Sequence, residues 1–114
     1  MAKVEILEDL YEKIEKKFGG NADKVFALIK SLEENPKKGK ELGNVAGIVI
    51  KEIRYESFRF YFITDGFKLR ALTEDSLVDL LVKFVRMSDK KHQQQTINEI
   101  KKILINFGPK GFDS

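Results

Sequence analysis

The chain has 114 residues, 42% apolar and 34% charged, with eight glycines and two prolines, which is the profile of one globular domain spanning residues 1–114. It has no cysteine and one histidine, His92, so disulfides, thiolate nucleophiles, cysteine-held metals and a multi-histidine metal centre within one chain are excluded. The net charge of +3 is uneven: residues 1–34 carry six basic and eight acidic groups, 35–72 carry eight and four, and 73–114 carry seven and six, so the middle is the basic part.

Met1–Glu5 leads into charges instead of an apolar signal core, and no run approaches the roughly 18 apolar residues of a membrane span, which predicts a cytoplasmic protein with no membrane partner. Val4 and Ile6 alternate, a pattern compatible with a short strand. Leu7, Leu10, Tyr11, Ile14 and Phe18 then fall at helical spacing, closed by Gly19, Gly20 and Asn21. A second helix follows from Ala22 through Val25, Phe26, Leu28, Ile29 and Leu32, stopped at Asn35-Pro36 because the residue before proline leaves the helical region. The two helices form a hairpin.

Residues 36–46, with three lysines, two glycines and no periodicity, predict an exposed loop. Ile48, Val49, Ile50 and Ile53 predict a strand, and Phe58, Phe60 and Phe62 alternate with Arg59, Tyr61 and Ile63 in a second one. Asp65-Gly66 signals a hairpin, which sends Phe67–Leu72 back as another strand. Val78, Leu80, Val82 and Phe84 alternate with Asp79, Leu81, Lys83 and Val85 up to Arg86, and Ile97, Ile100, Ile103 and Leu104 define a last helix from about Gln93 to Asn106. This order predicts an α+β domain: an N-terminal helical hairpin packed on one face of a twisted antiparallel β-sheet, with a C-terminal helix. Arg59 and Tyr61 then project from the uncovered face, with Lys51 if its strand keeps the same parity and no bulge intervenes.

Element order and several residues together resemble the RelE/ParE toxin superfamily, nearest its HigB-like, phage-derived branch. The resemblance rests on Leu32-Glu33-Glu34-Asn35-Pro36, Leu42-Gly43, Lys51-Glu52-Ile53-Arg54, Phe58-Arg59-Phe60-Tyr61 and Leu81–Arg86, and it runs from about Ile6 to Leu104. It implies a RelE-like fold and the toxin of a type II toxin–antitoxin pair: in most branches an endoribonuclease (mRNA interferase) that cuts messenger RNA, usually on the ribosome, while the ParE branch acts on DNA gyrase without cleavage. Its partners would be messenger RNA, the ribosome and a cognate antitoxin. Arg86-Met87 stands where the branch has two basic residues, and Gln93, Gln94 and Gln95 stand where relatives bring a catalytic tyrosine or a Thr-Pro.

Cleavage through a 2′-hydroxyl needs a base, positive groups for the phosphorane-like transition state and an acid for the leaving oxygen, and it requires no cofactor or metal. Arg59 suits the transition state, since a guanidinium is always charged and grips phosphate with two hydrogen bonds. Lys51 and Arg86 add positive field. His92 is the candidate acid or base, imidazole being the side chain that ordinarily titrates near neutral pH. Lys90 and Lys91, with Lys37, Lys38 and Arg54, are candidates for holding the RNA backbone, and Tyr61 for stacking on a base. Arg54 is equally suited to an ion pair with Glu52. Phe58, Phe60, Phe62 and Phe84 read as core. A phosphate-facing Arg59 contributes little to stability, so Arg59→Ala is expected to leave the fold intact.

Met87 and the glutamines suit a competing description, a non-catalytic binding protein such as a ParE-like gyrase inhibitor or a decayed family member. An antitoxin would cover the basic face or the sheet edge. The sheet edges and the apolar tail near Phe107 and Phe112 leave a homodimer open.

Overall fold

The computed structural model describes residues 1–71 and 78–113. The elements are β1 (Lys3–Ile6), α1 (Glu8–Phe18), α2 (Ala22–Lys30), β2 (Lys40–Val45), β3 (Ile48–Tyr55), β4 (Phe58–Asp65), the short α3 (Gly66–Arg70), β5 (Leu81–Asp89) and α4 (Gln93–Phe107). Single 3-10 turns at Gly19–Asn21, Ser31–Glu33 and Pro109–Phe112 follow α1, α2 and α4. The fold is α+β, with one sheet in the order β1-β5-β4-β3-β2. That sheet is mixed, not antiparallel: β1 pairs parallel with β5, Lys3 opposite Leu81 and Ile6 opposite Phe84, while the other pairings are antiparallel. Among the described residues, no helix is long and apolar enough to cross a membrane.

Helices cover both faces of the sheet. Leu10 and Ile14 of α1 and Ala22, Val25 and Ile29 of α2 pack with Ile53, Phe60, Phe62, Val82 and Phe84. Ile97, Ile100 and Leu104 of α4 pack on the other face with Ile50, Tyr61, Ile63 and Val85, closed by Phe112. The face expected to be bare is therefore the floor of a second core, and Tyr61 and Arg59 lie buried there.

Three local expectations are corrected. Residues 40–45 form an edge strand in place of an exposed loop, held by its pairing to β3. Their side chains are exposed or half-buried, so backbone hydrogen bonds and not an apolar pattern define the strand. After β4 the chain turns into α3, not a returning strand: the Asp65 carboxylate accepts from the Phe67 and Lys68 amides as an N-cap, and the Gly66 amide donates to the Gly47 carbonyl at 2.8 Å. Gly66 is required there, since a Cβ would lie 2.8 Å from Val49 Cγ2 and 2.9 Å from the Gly47 carbonyl. Leu72, the expected end of that strand, lies outside the described residues, and the expected alternation from Val78 begins as a strand only at Leu81.

The third correction concerns parity. The two-residue turn between Tyr55 and Phe58 pairs Arg54 with Arg59, Glu52 with Tyr61 and Lys51 with Phe62. Directly opposed residues share a face of a sheet, so Lys51 lies on the α1/α2 face, opposite to Arg59 and Tyr61. A bulge in β5 also displaces the register, Phe62 facing Phe84 and Tyr61 facing Arg86, with Val85 as the extra residue.

Candidate functional site

β1 accounts for a cleft that its own residues do not line. The strand ends at Ile6, opposite Phe84, and the Leu7 amide donates to the Phe84 carbonyl as the chain leaves the sheet for α1. The far half of β5 has no strand on that side. The gap between α1 and the start of α4 is a cleft of about 590 Å³.

One wall is the polar face of α1. Leu10 and Ile14 point into the core, so Lys13, Lys16 and Lys17, spaced i, i+3 and i+4, share the side that meets the cleft. None of the three forms an ion pair among the described residues. Phe58 and Met87 are apolar parts of the lining. The other wall is Ser88 and Asp89 at the end of β5 with His92, Gln95, Thr96 and Glu99 at the start of α4.

Asp89 fixes His92 twice. Its Oδ1 accepts from the His92 backbone amide at 2.9 Å and lies 2.8 Å from the ring Nδ1. The hydrogen bonds to His92 hold the Asp89 carboxyl below its ordinary range, with a smaller contribution from the Lys91 charge. An ionised Asp89 can only accept, so it selects the tautomer protonated on Nδ1 and leaves the Nε2 lone pair for other work. The Thr96 hydroxyl donates to the His92 carbonyl at 2.9 Å, tying the same residue to the first turn of α4.

The support beneath this pair is a chain of hydroxyls. Ser88 Oγ donates to the Asp89 carbonyl at 2.9 Å and lies 2.8 Å from the Tyr61 hydroxyl. Since a serine has one hydroxyl proton, Tyr61 donates to Ser88. Burial is the main cause that raises the Tyr61 pKa, which keeps the phenol in the donating form. Tyr61 is fully buried, so it braces the site instead of offering a stacking surface.

The remaining expected residues are dispersed. Arg59 is 6% exposed and Glu52 2%. Arg59 Nε lies 3.8 Å from Glu52 Oε2, too far for a hydrogen bond, and both atoms are buried with no hydrogen-bond partner among the described residues. Arg59 also donates to the Ser57 carbonyl at 3.2 Å, and Arg54, largely exposed, pairs with Glu52 at 3.3 Å. Arg54 thus forms the ion pair that stood as the alternative to its RNA-binding role. Arg86 pairs with Glu99 at 2.9 Å, with its guanidinium 5.3 Å from the Phe112 ring centre, and lines a smaller hollow that shares Lys13, Met87 and Glu99 with the main cleft.

On the opposite face, Lys51 is buried and donates to the Lys37 carbonyl at 2.8 Å, with its ammonium 5.8 Å from the Phe62 ring centre. Burial is the main cause that lowers its pKa, partly offset by Glu41. The Lys37 and Lys38 side chains are exposed on that loop, and Lys90 and Lys91 are exposed on the turn that leads to His92. Of the expected set, then, His92 lines the cleft, Lys90 and Lys91 flank it in sequence, Arg86 adjoins it and Tyr61 supports it.

Sequence reasoning missed Lys13, Lys16, Lys17, Asp89 and Phe58. The i, i+3, i+4 lysine spacing is legible in the chain, but only the early end of β1 opens the space beside it. Among the described residues, no group of three His, Asp or Glu side chains is placed to hold a metal ion. No family model, curated protein or solved structure matches this chain.

Proposed function

We propose that the protein is a metal-independent endoribonuclease that cuts messenger RNA, acting as the toxin of a toxin–antitoxin pair in the cytoplasm. The observation that carries this reading is the Asp89–His92 pair, which stands across one cleft from three lysines that form no ion pair among the described residues. A base with its second nitrogen free, facing concentrated positive charge, is what transesterification at a phosphodiester needs. His92 Nε2 takes the proton of a ribose 2′-hydroxyl, and the 2′-oxygen attacks the adjacent phosphorus. The lysine ammonium groups stabilise the added negative charge and one of them protonates the departing 5′-oxygen. The products are a 2′,3′-cyclic phosphate and a 5′-hydroxyl.

The RelE/HigB resemblance supports the same reading: after β1 come two helices, then β2 to β5 with the short α3 among them, then a closing helix that starts just after His92 at the end of the last strand. In this version Arg59 has a structural place, and the phosphate-facing charge comes from α1. The direct test is to incubate purified protein with a labelled single-stranded RNA, once with a chelator and no ribosomes, and once with ribosomes in magnesium buffer. Cyclic-phosphate ends that disappear in His92→Gln support the reading. Intact RNA in every arm would contradict it.

A further inference from the structure

Phe58 is half-buried in the cleft lining, and the cleavage chemistry makes no use of it. Phe18 braces it edge-on, with ring centres 5.4 Å apart and an interplanar angle of 83°. The Lys17 ammonium lies 5.0 Å from its centroid. An ammonium can occupy that place only if the ring is reachable from the side on which α1 carries its lysines. A lysine stem is flexible, so a flat π-system can displace the ammonium from the ring towards a neighbouring phosphate.

Aromatic and apolar groups beside a wall of ammonium groups match the two chemistries of a nucleic-acid strand whose bases are free. A base stacks on an aromatic ring while the backbone follows the positive charge. A duplex keeps its bases paired and stacked, so it would meet the lysines and leave Phe58 unused.

We infer that the cleft selects single-stranded over duplex nucleic acid, by stacking one unpaired base on Phe58 while Lys13, Lys16 and Lys17 hold the adjoining phosphates. The inference rests on the cleavage reading for the choice of RNA as the strand. Phe58 is a binding residue here and takes no part in the proton transfers.

The test measures binding apart from cleavage, with a short fluorescent 2′-O-methylated RNA that lacks the attacking hydroxyl, offered single-stranded or annealed to its complement. The single strand should bind wild type more tightly than the duplex. With three phosphate-contacting lysines, log affinity should fall against log salt with a slope of about −2. Phe58→Leu should weaken single-strand binding roughly 5- to 150-fold, the range for losing one stacked base, while Phe58→Tyr keeps it. Duplex binding should be the same in both variants.

A second readout avoids dependence on the fold of Phe58→Leu. The chain has no tryptophan, so Phe58→Trp supplies a single indole whose emission a stacked base quenches. Quenching by the single strand and not by the duplex supports the inference. Equal duplex and single-strand affinity, or unquenched indole with bound single strand, would overturn it. Tight single-strand binding without cleavage of unmethylated RNA would remove the cleavage reading and leave this one standing, and cleavage unaffected by Phe58→Leu would do the reverse.

Discussion

Arg59→Ala is the substitution on which surface and interior readings of Arg59 differ most. An arginine facing solvent could be truncated at little cost, but this one has a side chain 7% exposed, opposite a Glu52 side chain only 1% exposed. Removing it leaves the Glu52 carboxylate in the interior with, among the described residues, Arg54 as its one ion-pair partner, at 3.3 Å and itself 53% exposed. Breaking a buried pair from one side costs about 3–5 kcal/mol, and the surviving Arg54 contact places this case near about 3 kcal/mol. Against a total stability of about 5–15 kcal/mol, that is a large share, equivalent to a melting temperature lower by about 12 °C.

Urea denaturation followed by circular dichroism measures it. The double variant Glu52→Gln/Arg59→Met, which removes both charges and keeps the volume, should recover to within about 1 kcal/mol of wild type. An Arg59→Ala protein within about 1 kcal/mol of wild type would refute the reasoning and return Arg59 to the surface. The result also bears on interpretation: because this side chain supports the fold, a loss of growth inhibition in Arg59→Ala has to be read beside the measured stability of the variant before it reports on chemistry.

Three further outcomes are expected. Tyr61→Phe removes the hydroxyl that donates to Ser88 and should cost about 1 kcal/mol in urea midpoint analysis, with single-turnover cleavage slowed through the Asp89 segment that Ser88 holds. Lys51 has its pKa lowered in the folded state, so the unfolded chain binds more protons between that value and the ordinary 10.5, and stability should rise with pH through this window. Lys51→Met should flatten that rise when urea midpoints of the two proteins are compared from neutral to alkaline pH. Asp89 has its carboxyl pKa lowered, so its contribution is present above the ordinary 3.8 and is lost as pH falls through the lower folded value; the stability difference between wild type and Asp89→Asn should shrink across that acid range.

How much of this was legible in the chain depends on what each signal specifies. Leu10 and Ile14, Val25 and Ile29, and Ile97, Ile100 and Leu104 declare three helices because a buried helical face repeats at 3.6 residues. Phe58, Phe60 and Phe62 declare β4 and its helix-covered face in the same way. Residues 40–45 carry no such pattern, because an edge strand with exposed side chains is defined by backbone pairing that leaves no trace in side-chain polarity. Asp65-Gly66 serves equally as a hairpin turn or a helix cap, and the choice was made by a distant contact, the Gly47 carbonyl.

The site follows the same division. His92 stood out by chemistry, since it is the chain's one imidazole. The faces of Lys51 and Arg59 depended on the two-residue turn between β3 and β4, which pairs odd with even positions and so separates two cations that equal parity would have joined. The cleft depends on strand order, above all on β1 pairing with β5 and ending at Ile6, and no local pattern in Val4 and Ile6 announces a partner some eighty residues away. The lysines of α1 line a cleft only because that edge is open.

The most direct test of the central claim is to induce the protein in a permissive host and map messenger RNA 5′ ends for wild type, His92→Gln and Lys13→Gln/Lys16→Gln/Lys17→Gln. The account predicts new 5′ ends inside coding regions for wild type and their loss in both variants, with all three proteins folded to the same melting temperature within about 2 °C, as surface substitutions allow. Growth arrest with intact messages in wild type, or unchanged cleavage in both variants, would contradict it.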